Sequence, residues 1–298
     1  MTRARSSGGR AGACGVAALL VLAAAFAAVA AAAADGPADH AGARVDAPRS
    51  AWAPATASAN WAGYAVTAGE TTYTSVTATW VEPGVDCAAG QAGAAAAFWV
   101  GLGGYSLTAQ ALEQVGTAAD CDPASGRAAY YAWYELVPNP SVTIARLAVA
   151  PGDVITTSVN ALAGGTIELQ VKNRTRHTTF TTKLPFASPD LSSAEWIAEA
   201  PSDCNRNHCR PIPLADFGSV GFTRIAALGN GIGGTLTANP GWTTIGITLE
   251  PGSGRGFFTG PNAVALRGPA AGAAPSPLSA NGRRFSVRWS MTARGRSG

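Results

Sequence analysis

Short runs of alternating apolar and polar residues, separated by glycine- and proline-rich turns, recur along the chain from Asn60 onward. Alternation of this kind predicts half-buried β-strands, because successive side chains of a strand point to opposite faces. Helical periodicity is nearly absent, and only residues 214–217 suggest a helical turn. We therefore predict an all-β fold of two packed antiparallel sheets, a β-sandwich. The clearest strands are expected at 74–81, 95–102, 129–136, 154–162, 166–171, 177–183, 243–249 and 284–290.

The run Ser193–Glu199 places two acidic residues inside an apolar, strand-like segment. Alternation puts Glu195, Ile197 and Glu199 on one face of this strand. A carboxylate on an apolar sheet face costs free energy unless it is paired, hydrated or used in chemistry. The pattern therefore leaves two interpretations: an edge strand with a solvated acidic face, or a cleft in which a carboxylate performs acid–base chemistry.

The N-terminal residues 1–34 have the pattern of a secretory signal peptide, with three arginines before an apolar run that ends in small residues. A membrane-spanning helix is the alternative, since the run is long enough. We expect cleavage and secretion. Residues 35–57 are then a flexible leader or propeptide, 58–291 a single β-sandwich domain, and 292–298 a disordered tail.

The charge of the chain changes when the signal peptide is removed. The full chain has 21 Lys and Arg against 18 Asp and Glu, and residues 1–34 contain three arginines and no acid. The mature chain is therefore balanced in charge, which argues against nucleic acid or an acidic membrane surface as a partner. We expect a monomer with no stable membrane association after signal cleavage.

Four cysteines remain after signal cleavage, and an even number in an exported protein predicts two disulfides. Cys204 and Cys209 close a short polar loop, which leaves Cys87 to pair with Cys121. A zinc site is the alternative, but its cysteine and histidine spacing fits no standard motif. We expect neither a metal ion nor a cofactor.

The three histidines, His40, His177 and His208, lie in the predicted leader or in polar turns. None is placed as the buried, oriented imidazole that a Ser-His-Asp or Cys-His hydrolase needs. The sequence also lacks the nucleophile elbow, the zinc-protease helix motif, the P-loop and the dinucleotide fingerprint. Hydrolysis by carboxylates or amides remains.

Two further segments carry polar groups of the required kind. Within residues 111–115, Leu112 and Gln114 share a face, and such an amide is commonly a satisfied core or edge glutamine. Within residues 130–135, Tyr131, Trp133 and Glu135 share a face, and aromatic stripes of this kind are more often core than cleft. Neither segment alone indicates a function.

Taken in order, five motifs resemble those of the glutamic peptidase family, the eqolisins. They are SANWAG at 58–63, WVGLGG at 99–104, LEQVG at 112–116, AWYE at 132–135 and AEWIAE at 194–199. Each motif is weak alone, but the ordered set is specific and covers about residues 58–220. The resemblance implies a lectin-like β-sandwich with the active site on its concave face, and polypeptide substrates.

The resemblance also assigns roles to individual residues. Glu199 would take a proton from the attacking water and return it to the leaving amine, while Gln114 would orient that water and stabilise the oxyanion. Glu195 would be a supporting acid, and the Cys204–Cys209 loop would match a small disulfide loop of fungal relatives. The expected substrate-binding residues are Trp99, Gly104, Trp133 and Glu135.

The chain departs from this family pattern at Gly103 and Tyr131, where many fungal members carry Asp. Loss of these acids is expected to remove negative charge near the site and to change how the pKa of Glu199 is set. A strongly acidic working range is therefore not carried over to this chain.

A secreted β-sandwich glycosidase or carbohydrate-binding module is the alternative function. Glycosidases of this fold use two carboxylates on one strand, as Glu195 and Glu199 could be used. Retaining enzymes need carboxyl groups about 5–5.5 Å apart, whereas four strand residues span about 13 Å. Exposed Trp99 and Trp133 rings would instead suit stacking on sugars.

Overall fold

A computed structural model of the protein describes residues 55–88, 91–106, 108–205, 208–237, 239–253 and 271–291, with only the backbone described at 204, 205, 208 and 209. The predicted signal peptide (1–34), most of the predicted leader (35–57) and the predicted tail (292–298) lie outside these residues. Residues 55–57 belong to the first strand. Across the described ranges, no helix has the length and apolar character needed to span a membrane.

The described residues form β-strands and turns without an α-helix, which confirms the all-β prediction. The strands are β1 (Ala55–Ser58), β2 (Trp61–Thr67), β3 (Tyr73–Val81), β4 (Ala95–Leu102), β5 (Leu112–Cys121), β6 (Ala128–Val137), β7 (Val142–Thr143), β8 (Val154–Leu162), β9 (Thr166–Asn173), β10 (Thr178–Pro185), β11 (Ser193–Glu199), β12 (Ser202–Asn205), β13 (His208–Pro211), β14 (Ser219–Gly229), β15 (Ile232–Gly234), β16 (Thr243–Leu249), β17 (Ala271–Pro275) and β18 (Arg284–Met291).

The helical turn expected at residues 214–217 is wrong. Leu214 forms a β-bridge with Ala95, and Asp216 forms one with Asp86. The backbone N–H of Ala215 donates to the Ala95 carbonyl at 3.0 Å, so the polar groups of this segment pair across to other strands rather than along a helix. Leu214 and Phe217 are buried in the core, which explains their apolar spacing without helical periodicity.

The main sheet is a continuous hydrogen-bonded path that folds back on itself, in the order β10-β9-β8-β3-β14-β18-β17-β16-β2-β11-β4-β5-β6-β7. Strands β3, β8 and β9 of one part contact β4, β5 and β11 of the other, which gives the sandwich. Large side chains such as Trp80, Phe98, Trp196 and Phe222 are fully buried in the main core. The named strands pair antiparallel, except that β1 runs parallel to β16.

Strand β11 lies between β2 and β4, with hydrogen-bonded partners on both sides. Residues 193–198 are buried. The edge-strand interpretation of the acidic run is therefore wrong: the strand is central, Glu195 is fully buried and Glu199, its last residue, is partly buried.

A disulfide joins Cys87 to Cys121, whose Cα atoms lie 5.4 Å apart. The β12–β13 hairpin places Cys204 directly opposite Cys209 in register. Their side chains lie outside the described part of the structure, so the second disulfide stays a prediction.

Candidate active site

Five neighbouring strands, in the order β2-β11-β4-β5-β6, carry all the residues predicted for the site except Gly104, which follows β4. Alternate side chains of these strands enter two different apolar clusters. Trp196 and Phe98 belong to the main core, whereas Ile197 and Trp99, one position further along, belong to a second cluster. This second cluster, called the floor cluster below, contains Trp61, Ala65, Ala97, Trp99, Leu112, Ala118, Trp133, Ile197 and Ile247.

Two glycines make room for Trp99 within the floor cluster, one beside its Cβ and one beside its ring. Gly116 is paired with Trp99 across β4 and β5, and a Cβ at this position would lie 2.7 Å from the Trp99 Cβ. A Cβ on Gly101 would lie 2.9 Å from the Trp99 ring. The ring also packs edge-on against Trp61, with centroids 4.9 Å apart. The position of the indole is therefore set by close packing on several sides.

Glu199 is the last residue of β11. Its carboxylate accepts hydrogen bonds from Trp99 on β4 and from Asn60 in the turn before β2. The indole Nε1–H of Trp99 donates to Oε2 at 2.7 Å. The side-chain Nδ2–H of Asn60 donates to Oε1 at 3.1 Å. Removal from water raises the pKa of Glu199 to about 8, against the lowering effect of Trp99, Trp61 and Asn60. A carboxyl group with these partners can hold a proton and release it near neutral pH.

Gln114 lies on β5 directly opposite Glu135 on β6. Its Nε2–H donates to Glu135 Oε2 at 2.6 Å. The buried Oε1 of Gln114 has no hydrogen-bond partner among the described residues. Burial raises the pKa of Glu135, and the Gln114 amide lowers it. The charge of Glu135 in turn raises the pKa of Glu199, so the three groups interact electrostatically.

Gly104 was predicted to bind substrate, and its backbone N–H donates to Asp190 Oδ2 at 3.0 Å. The preceding Gly103 has a φ of +76°, and a Cβ there would lie 2.2 Å from the Asp190 carbonyl oxygen. No side chain fits at position 103 beside Asp190, which accounts for the glycine at this departure from the family pattern.

Position 131 shows a related arrangement. The Tyr131 hydroxyl donates to Asp120 Oδ2 at 3.0 Å, and burial raises the pKa of Asp120. Carboxyl groups of Asp190 and Asp120 therefore lie against positions 103 and 131, but neither charge is among the causes of the raised pKa of Glu199.

The two tryptophans predicted to line the cleft are buried. Trp99 has no exposed surface and Trp133 is 7% exposed. Neither ring offers the open face that stacking on a sugar would need, so the exposed tryptophans assumed for a carbohydrate-binding module are not found.

Glu195 is fully buried and belongs to a different group of acids from Glu199. Burial raises its pKa well above the usual range, the Ser193 side chain lowers it, and the charges of Asp190 and Glu113 raise it further. Glu113 is also fully buried, and its Oε1 accepts the Asp190 backbone N–H at 3.3 Å. Glu195 and Glu199 are therefore not a converging pair of the glycosidase type.

Asn60 and Asp190 were not singled out from the sequence as site residues. Asn60 lies within the SANWAG motif, so its position was visible although its contact with Glu199 was not. Asp190 lies in the turn before β11 and belongs to no motif, so no local signal could have indicated it.

Comparison with known proteins agrees with this architecture. A sequence model of the Peptidase A4 family matches residues 59–251. Aspergillopepsin-2 of Aspergillus niger is 31% identical over 218 residues, which cover 66% of this chain and 72% of that protein.

Two crystal structures of scytalido-glutamic peptidase share the fold. The complex with a transition state analog inhibitor is 23% identical, with a TM-score of 0.60, and covers 78% of this chain and 98% of that one. The complex with a peptide based transition state analog has the same identity and coverage and a TM-score of 0.55. With the family match over residues 59–251, these findings place the chain in the Peptidase A4 family, the eqolisins, and make it a hydrolase of the glutamic peptidase type.

Proposed function

We propose that the protein is a secreted endopeptidase in which Glu199 and Gln114 form the catalytic pair. The observation that carries the proposal is the link through Glu135: it accepts a hydrogen bond from Gln114 at 2.6 Å, and its charge acts on Glu199. A carboxyl group and an amide thus share one polar site above the floor cluster. Peptide hydrolysis by a carboxylate and an amide needs this combination of groups.

Glu199 is the proton-transfer group of the proposed reaction. As a carboxylate it accepts a proton from a water molecule while the water oxygen attacks the peptide carbonyl carbon. The tetrahedral intermediate collapses when the C–N bond breaks, and Glu199 returns the proton to the leaving nitrogen. A pKa of about 8 favours holding the proton between these steps, and a water that donates to the carboxylate lowers this pKa.

Gln114 positions the water and stabilises the developing charge. Its amide orientation is set by Glu135, which accepts one of the two N–H groups. The second N–H is then available to the oxyanion, and the buried Oε1 can accept a hydrogen bond from the attacking water. One such oxyanion donor contributes roughly 3 kcal/mol in comparable hydrolases.

The remaining predicted residues surround this pair. Trp133 and Glu135 face the site from β6 and would contact the substrate chain. The N–H of Gly104 is already bonded to Asp190, so a substrate contact at Gly104 would use its carbonyl group. The Cys87–Cys121 disulfide and the signal-like residues 1–34 support secretion, and we propose a monomer.

The proposal is tested by cleavage of unfolded casein between pH 2 and 9, a range that extends past the pKa of about 8 of Glu199. The secreted wild type is compared with Glu199→Gln and Gln114→Ala, in the presence of inhibitors of serine, cysteine, metallo and aspartic peptidases. Glu168→Gln is the matched control, because this glutamate lies on β9 in a surface ion pair with Lys183 at 3.1 Å.

We expect inhibitor-resistant cleavage by wild type and Glu168→Gln, and its loss in Glu199→Gln and Gln114→Ala. Absence of cleavage at every pH by folded, processed wild type would overturn the proposal. So would full activity in Glu199→Gln.

A further inference from the structure

We infer that Asn60 is a positioning residue for Glu199: its side-chain amide holds one carboxylate oxygen and keeps the group oriented as the catalytic base. The inference rests on the proposed function. The contact joins Asn60 Nδ2 to Glu199 Oε1 at 3.1 Å, across 139 residues of sequence. Asn60 is 1% exposed, so this buried amide is placed by the fold rather than by solvent.

The turn that carries Asn60 is built around the hydroxyl of Ser58, which has no exposed surface. Its oxygen accepts the backbone N–H groups of Asn60 at 3.3 Å and Trp61 at 3.1 Å. Its own proton is donated to Asn60 Oδ1 at 3.1 Å. Because the amide oxygen is bonded to this donor, the NH2 group of Asn60 must face Glu199.

The backbone of the same turn is joined to both neighbouring elements. Ala200, directly after Glu199, donates its N–H to the Asn60 carbonyl at 2.8 Å. Glu250, directly after β16, donates to the Ser58 carbonyl at 2.8 Å. The chain reverses direction in this turn. The preceding strand β1 runs parallel to β16, and the following strand β2 runs antiparallel to β16. Backbone hydrogen bonds therefore tie the turn to the end of β11 and to the end of β16.

The amide complements the Trp99 indole at the carboxylate. Trp99 donates a hydrogen bond to Oε2 at 2.7 Å and Asn60 donates one to Oε1. Both carboxylate oxygens are therefore held by donors from different parts of the fold. Two fixed donors restrict rotation of the carboxylate and favour its ionised form. The Glu135 carboxylate acts in the opposite direction from β6, by raising the pKa of Glu199. The Asn60 amide is neutral, and its hydrogen bond lowers the pKa of Glu199 against the effect of Glu135.

The test uses three variants and full pH profiles of kcat/KM. Asn60→Ala removes the donor. We expect kcat/KM to fall about tenfold and the acidic limb of the profile to move upward by about one pH unit, since a bond to a charged group is lost. Asn60→Asp keeps the shape but donates only while the new carboxyl is protonated. It should be active only over the pH range in which the pair of carboxyl groups holds one proton, and lose activity at higher pH when that shared proton leaves.

Asn173→Ala is the matched control. Asn173 is also 1% exposed and donates through Nδ2 to a carboxylate, Asp153 Oδ2 at 2.7 Å, but it lies on β9 outside the site. This variant should lower the thermal unfolding temperature and leave the shape of the pH profile unchanged. The opposite pH responses of the two position-60 variants are not expected from a general loss of stability.

The outcomes separate this inference from the proposed function. One result is an inactive Glu199→Gln beside position-60 variants that both keep the wild-type kcat/KM and the wild-type pH profile. That result would show that the positioning role is wrong and that the catalytic pair is right. If Glu199→Gln is active, the proposed function fails first. If Asn60→Ala does not fold, the pH profile of Asn60→Asp tests the inference by itself. A kcat/KM that does not fall at alkaline pH in this variant would overturn the inference.

Discussion

The indole nitrogen of Trp99 lies 2.7 Å from Oε2 of Glu199, which makes a fully buried ring on β4 a direct hydrogen-bond partner of a carboxylate on β11. Gly101 leaves space for this ring, and Gly116 leaves space for the Cβ of Trp99. A charge-assisted bond of this length, shielded from water, favours the ionised carboxylate. Trp99 is thus better described as a partner of Glu199 than as a surface for substrate.

Trp99→Phe removes this donor while keeping an aromatic ring. The pKa of Glu199 should rise, so the acidic limb of kcat/KM should move to higher pH, and kcat/KM should fall by about 10- to 100-fold. Trp80→Phe is the control, since the buried Trp80 donates to Glu82 at 3.2 Å away from the site. Equal losses in both variants, with neither limb moved, would contradict the assigned role of Trp99.

Glu135→Gln should move the same limb in the opposite direction. The negative charge of Glu135 raises the pKa of Glu199, so its removal lowers that pKa and allows the base to ionise at lower pH. The rate at the optimum should nevertheless fall, because Gln114 loses the carboxylate that orients its amide at 2.6 Å.

The control for this variant is Asp120→Asn. Asp120 is also a carboxylate within the sheet, bonded to Tyr131 at 3.0 Å, and its charge is not among the groups that shift Glu199. The acidic limb of the kcat/KM profile of Asp120→Asn should match that of wild type. A limb in Glu135→Gln that moves upward, or stays fixed, would show that Glu135 does not set the pKa of Glu199.

Strands with clean alternation could be predicted closely from the sequence, and β4, β8 and β16 have the bounds expected for them. Strand β14 was missed for a physical reason. Its pairing with β3 shifts register between Thr223 and Ala226, and Arg224 between them has a φ of +52°. Such a bulge breaks the alternation on which the prediction depends.

The site was predictable only as far as its residues lie in motifs. Alternation placed Glu195 and Glu199 on one face, but it did not indicate that β11 would be a central strand. Contacts such as Asp190 against Gly103 join positions 87 residues apart, and pairing at that distance leaves no trace in a local pattern. The central position of β11 and the contact between Asp190 and Gly103 both depend on pairing between distant parts of the chain.

Gly103→Ala should destabilise the protein far more than its backbone angle alone explains. A Cβ at this position would lie 2.2 Å from the Asp190 carbonyl oxygen, in addition to the cost of a φ of +76°. Gly152→Ala is the matched control, because Gly152 has a φ of +86° with nothing within 4 Å of a Cβ.

We expect a loss of about 1–2 kcal/mol in the free energy of unfolding for Gly152→Ala. Gly103→Ala should lose about 1–3 kcal/mol more from overpacking. Chemical denaturation of both variants gives the comparison. Equal losses would mean that Asp190 moves away freely and does not shape the Gly103–Gly104 turn.

Buried carboxyl groups should make the protein most stable in acid. Burial raises the pKa of Glu82 to about 7 and that of Glu113 to about 8, each from a value of 4.5. Both groups are protonated in the folded and the unfolded chain below about pH 4.5, so their contribution to stability is complete there. Between that pH and the folded pKa, only the unfolded chain releases the proton, and stability falls as the pH rises.

For Glu82 the loss between pH 4.5 and 7 amounts to about 3 kcal/mol, and it is larger for Glu113. Thermal unfolding from pH 4 to 8 should therefore show a falling midpoint, and Glu82→Gln or Glu113→Gln should flatten that fall. A midpoint that rises over this range, with the same slope in both variants, would contradict the prediction. Because ionisation of Glu199 increases with the same rise in pH, activity and stability are expected to limit the working range from opposite sides.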